Sequence, residues 1–156
     1  MRPGVIVIVL LLVQSAAAEL PSESDLRAAY CIPIVRHVIS VFRSVEKDLR
    51  DFLSNEASNA LLQGIQESSA DLRRLQLYLM PRLPYLAPTG LTVAMKQAEE
   101  DLASLDAHAK QTCRPKCHHL LKKSVQAESS CTEKCMLDHP AHSHRQRCSD
   151  LRWLPY

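Results

Sequence analysis

CRPKCHHLLKKSVQAESSCTEKC, running from Cys113 to Cys135, is the stretch from which the fold can be argued. It holds two Cys-x3-Cys pairs, Cys113/Cys117 and Cys131/Cys135, on either side of thirteen residues. Positions four apart lie on one face of an α-helix about a turn from each other. Facing positions on two antiparallel helices have residue numbers with a constant sum, and Cys113 with Cys135 shares its sum with Cys117 and Cys131. A helical hairpin with two disulfide rungs therefore satisfies both pairs in one register. The crossed pairing needs two registers at once, against the short Cα reach of a disulfide. Several connectivities of six cysteines remain open from sequence. Cys31 and Cys148 are left near opposite ends of the chain, and a bridge between them would close a loop of more than a hundred residues.

The twin Cys-x3-Cys spacing of Cys113, Cys117, Cys131 and Cys135 resembles that of the small chaperones of the mitochondrial intermembrane space. That resemblance covers 23 of the 156 residues and implies a helical hairpin with nested disulfides. The long helical region before the hairpin and the secretory-type leader depart from that pattern, so only the hairpin geometry carries over. For thiol redox work the spacing is wrong, because such sites use Cys-x-x-Cys.

Outward from the hairpin, residues 1–18 read as a signal peptide. Arg2 supplies the positive end, Val5 to Val13 is an unbroken apolar run, and Ala16-Ala17-Ala18 offers a small-x-small cleavage site. The run is too short to span a bilayer, which takes about twenty residues, so no transmembrane segment is expected after its removal. Residues 19–156 would remain as one domain, with the hairpin at 113–139 and a tail at 140–156. Export to an oxidising compartment, secreted or periplasmic, suits three structural disulfides. The formal net charge is +2, or +1 once Arg2 is gone. Such a balance gives no electrostatic case for nucleic acid or an acidic membrane.

Few glycines, frequent Leu and Ala, and no alternating stretch favour helices. Ser22 and Asp25 stand at capping-box spacing, and Leu26, Tyr30, Ile34, Val38, Val41, Val45, Leu49 and Phe52 follow at helical period to about Ser54. Pro33 inside that stripe predicts a kink or restart. A second helix from Asn55 or Ser58 to about Met80 presents Leu61, Leu62, Ile65, Leu72, Leu75 and Leu79. A third, preceded by Thr89 and Gly90 and running to about Gln111, presents Leu91, Met95, Ala98, Leu102, Leu105 and Ala109, with Glu99, Glu100 and Asp101 largely outside. Because Pro115 suits a first turn, a new helix capped by Thr112 is expected to begin near Cys113, and the chain to return from Cys131 after a turn over Ser124 to Ser130. The fold expected is all-α, a four to five helix bundle with a C-terminal disulfide-laddered helical hairpin.

Two features bear on function. The apolar but proline-broken run Pro81 to Pro88, with Leu83, Tyr85 and Leu86, and the tail residue Trp153 form an expected surface for a protein partner. The alternative is a histidine-based zinc or copper site from His139, His142 and His144 with His118 or His119, since imidazole suits both metals. Oxidised cysteines would not contribute to it. His37, with no second ligand a turn away, reads as an ordinary helix residue. No Gly-x-Ser-x-Gly, His-Glu-x-x-His or phosphate loop is present, so the expectation is a non-enzymatic binding protein of unknown ligand.

Overall fold

The computed structural model describes residues 17–139 and 142–155; residues 1–16 of the expected signal peptide lie outside them. Five α-helices follow among the described residues: α1 (Glu23–Asp48), α2 (Asn55–Leu79), α3 (Pro88–Cys117), α4 (Val125–Leu137) and α5 (Ser143–Ser149). α1 is the hub, with α2, α3, α4 and α5 all packed on it. It begins with the expected capping box: the Asp25 amide donates to Ser22 Oγ at 3.1 Å and the Ser22 amide donates to Asp25 Oδ2 at 2.9 Å.

The proline break does not occur. α1 passes through Pro33 uninterrupted, although an internal proline costs about 3 kcal/mol. Ala29, Cys31, Ile32, Ile34 and Val35 on both sides of it are buried, so a restart would pull half a turn of core out of place. The helix also stops short of Ser54: it ends at Asp48 with Leu49 as its C-cap, and a single 3-10 turn over Arg50–Phe52 leads to Ser54, whose hydroxyl accepts from the Ala57 amide and starts α2. α1 is long and apolar enough, by length and composition, to cross a membrane, but 56% of its most apolar window is buried inside the bundle.

α2 buries Leu61, Leu75 and Leu79 and leaves Leu62 exposed. Its Gly64 faces α1 so closely that a Cβ there would stand 3.0 Å from Phe42 Cε2. The glycine that weakens the helix thus permits the close approach. Between α2 and α3 the run 81–88 folds into a 3-10 turn, Leu83–Tyr85, pinned by residues that would start the mature chain. The Glu19 amide donates to the Tyr85 carbonyl and the Ala87 amide to the Glu19 carbonyl, both at 2.8 Å.

α3 is one helix where two were expected. Pro115 sits in its last turn, where the carbonyl it leaves unbonded is Gln111, and the Cys113 and Cys117 bridges hold that turn against α4. The return arm also starts earlier than expected, at Val125, because Ser124 is an N-cap rather than part of a wide turn: its Oγ accepts from the Ala127 amide at 3.3 Å. The rungs are Cys113–Cys135 and Cys117–Cys131, with Cα atoms 5.6 and 5.8 Å apart. Glu128, buried on α4, lies 3.5 Å from Arg114 and 3.6 Å from His118 of the other arm. The third bridge, Cys31–Cys148, ties α5 to the middle of α1. α5 itself was not anticipated; beyond it Leu151 and Leu154 are buried in the main core cluster with Leu75, Leu86 and Leu91.

Candidate functional site

An apolar cleft of about 560 Å³ lies between α2 and α4, with α1 as its floor. Phe42, Val45 and Leu49 form that floor, Ala57 and Ala60 line the α2 side, and the half-cystines Cys131 and Cys135 line the α4 side. Its origin is a matter of side-chain length. Alanines on one wall and bridged cysteines on the other do not reach across, so the two helices flank α1 without filling the space between them. Volumes of about 300 to 1,000 Å³ are usual for small-molecule sites.

Charged groups gather only at the mouth. Asp138, just past the end of α4, accepts from Lys134 Nζ at 3.1 Å and from Arg145 Nη1 at 2.9 Å. Arg145 also lies over the Phe42 ring, 5.3 Å from its centroid. Two cations therefore face one carboxylate beside an apolar floor.

Two polar clusters elsewhere are structural ties. Asp25, completely buried, accepts from Arg82 Nε at 2.7 Å, from Arg82 Nη2 at 3.0 Å and from the Tyr78 hydroxyl at 2.9 Å. The Arg82 hydrogen bonds hold its carboxyl well below the usual carboxylate range, against the opposing effect of burial. The acid that caps α1 thereby anchors the end of α2. Tyr30 donates to Asp101 at 2.6 Å, joining α1 to α3; burial first, and then that hydrogen bond, push the phenol above its ordinary range, so it remains a donor. Asp101, expected largely outside, is turned toward α1. His144 Nδ1 comes within 3.5 Å of it.

The four residues expected to form a partner surface are divided. Leu83 and Tyr85 are exposed, Tyr85 at 71%. Leu86 is buried in the core, which corrects its assignment to the surface: with Glu19 bridged to it, the chain is pulled inward at that point. Trp153 is partly buried against the same cluster, and Arg27 covers its ring at 4.7 Å.

The five histidines do not gather at one site. His118 faces Glu128, His119 is exposed, and His139 is half-buried. His142 is buried, and its Nδ1 accepts from the Arg145 amide at 3.2 Å to cap α5. Burial above all brings its pKa down to about 4. His142 and His144 come together, with rings 5.6 Å apart. Among the described residues no three histidine, cysteine or acidic side chains converge as a metal-binding group.

Sequence reasoning singled out neither Lys134, Asp138 and Arg145 nor the alanines of α2. No local signal marks them, because the cleft is made by three helices distant in sequence. No family model, curated protein or solved structure matches this chain, so its site is read from its own residues.

Proposed function

We propose that the protein is an exported, non-enzymatic helical binding protein that holds a small apolar molecule in the cleft between α2 and α4. The observation that carries this reading is the cleft itself, an open hollow of about 560 Å³ lined mostly by apolar side chains, with Lys134, Asp138 and Arg145 as its charged lining. Apolar pockets with a few polar groups at fixed places are the usual form of a small-ligand site. The bridges support it further. Cys117–Cys131 and Cys113–Cys135 brace the α4 wall, so little order has to be imposed when a ligand enters. Export is supported by the Arg2 to Ala18 leader pattern together with three disulfides.

The test is a fluorescence titration of the oxidised protein with an uncharged, environment-sensitive probe, N-phenyl-1-naphthylamine. Saturable enhancement is expected from the native protein. Ala60→Trp should abolish it, because Ala60 is an exposed wall residue whose enlargement fills the cleft without entering the core. Enhancement that never saturates, or that persists in the variant, overturns the reading.

A further inference from the structure

The mouth of the cleft says more about the ligand than its volume does. Lys134 and Arg145 converge on Asp138, at 3.1 and 2.9 Å, which leaves one positive charge in excess beside the apolar floor. All three side chains keep solvent contact, with 41%, 33% and 53% of their surface exposed. Arg145 lies over Phe42, so the cation stands where apolar lining gives way to water. An apolar body on Val45, Leu49 and Leu61 with a single negative charge at its outer end would match both parts.

We propose that the cleft takes a fatty-acid-like amphiphile, its chain against Phe42, Val45, Leu49 and Leu61 and its carboxylate at Lys134 and Arg145. This rests on the cleft being the binding site and adds the class of ligand. A carboxylate entering the mouth competes with Asp138 for the same donors. Arg145 suits it best, since a guanidinium can present two parallel N–H groups to one carboxylate. A neutral chain lacks that contact, and a cationic one meets two like charges.

The experiment displaces N-phenyl-1-naphthylamine from the oxidised protein with oleate, with oleyl alcohol and with dodecyltrimethylammonium, at low and at high salt. Oleate should displace the probe about ten-fold more tightly than the alcohol, a ratio that falls as salt rises, and the cation should be the weakest. Lys134→Gln with Arg145→Gln should bring oleate down to the affinity of the alcohol, each measured against that variant's own affinity for the probe. Asp138→Asn removes the competing carboxylate and should tighten oleate several-fold, leaving the alcohol unchanged. Equal affinity for oleate and the alcohol, or a preference that survives loss of both cations, overturns the proposal while leaving the cleft as a binding site. A probe that never binds the native protein overturns the cleft reading and this proposal with it. Helical circular dichroism of each variant, unchanged from the native protein, keeps misfolding apart from loss of the head-group contact.

Discussion

Replacing Cys31 and Cys148 together by alanine is the perturbation that most directly tests how this bundle is held. The bridge spans 117 residues in sequence, the Cys117–Cys131 rung only 14. In the chain-entropy account, opening the long loop frees an unfolded ensemble worth about 5 kcal/mol, and opening the short one about 3 kcal/mol. The long bridge carries a second contribution. Cys31 and Cys148 are both buried in the main core cluster, so the variant also loses packed sulfur and leaves small voids, on the order of 1 kcal/mol. Against a total stability of roughly 5 to 15 kcal/mol, the loss is a large part of the whole. Urea unfolding followed by circular dichroism, without reductant, should show the midpoint fall by about 2 to 3 M for Cys31→Ala/Cys148→Ala, and by less for Cys117→Ala/Cys131→Ala. Hydrogen exchange adds a spatial signature: amides of α5 and of residues 150–155 should lose protection first, because the bridge is their covalent tie to α1. A midpoint unchanged within about 0.5 M, or a larger loss from the short rung than from the long bridge, would refute the argument that loop length and core burial set the order.

Acid should destabilise the protein in two stages. His142 has a folded pKa of about 4, below its ordinary value, so the unfolded chain binds the extra proton and stability declines as pH falls from about 6.5 to about 4; His142→Gln should flatten that limb of a Tm-against-pH curve. Asp25 is lowered further still. Its contribution is complete above the ordinary carboxylate value and is lost as pH falls through the folded one, so Asp25→Asn should lower Tm at neutral pH and remove the steep loss at the most acidic end. Gly64→Leu should destabilise by about 1 to 3 kcal/mol, since even a Cβ there stands 3.0 Å from Phe42; a denaturation midpoint equal to the native one would contradict that close packing. In an alkaline ultraviolet titration Tyr30 and Tyr78 should ionise above the ordinary phenol range, and Tyr30→Phe should remove one of the delayed groups.

Much of the fold is legible because its signals are local and repeat. The cysteine spacing sets a register for the hairpin, Ser22 and Asp25 start α1 where their spacing says, and the apolar period of α1 marks the helix every other one packs on. Where the reading fails, a tertiary contact has outweighed a local preference. Pro33 does not interrupt α1, because the packed residues around it and the Cys31 bridge hold the helix continuous. Pro115 does not begin a helix, because two bridges hold it in the last turn of one. Ser124 is read as part of a turn although its hydroxyl caps α4, and α5 is missed because its cap is a buried histidine, His142, rather than a common capping residue.

The candidate site divides the same way. From the sequence alone follow the all-α class and the hairpin register, since each depends on spacing or composition along one stretch of chain. Only the tertiary structure decides that Leu86 is core while Tyr85 is surface, that the five histidines do not gather at one site, and that Ala57, Ala60, Cys131 and Cys135 leave a cleft open over Phe42. A cleft is empty space between helices that are far apart in sequence, and the short side chains that create it look unremarkable until their neighbours are in place.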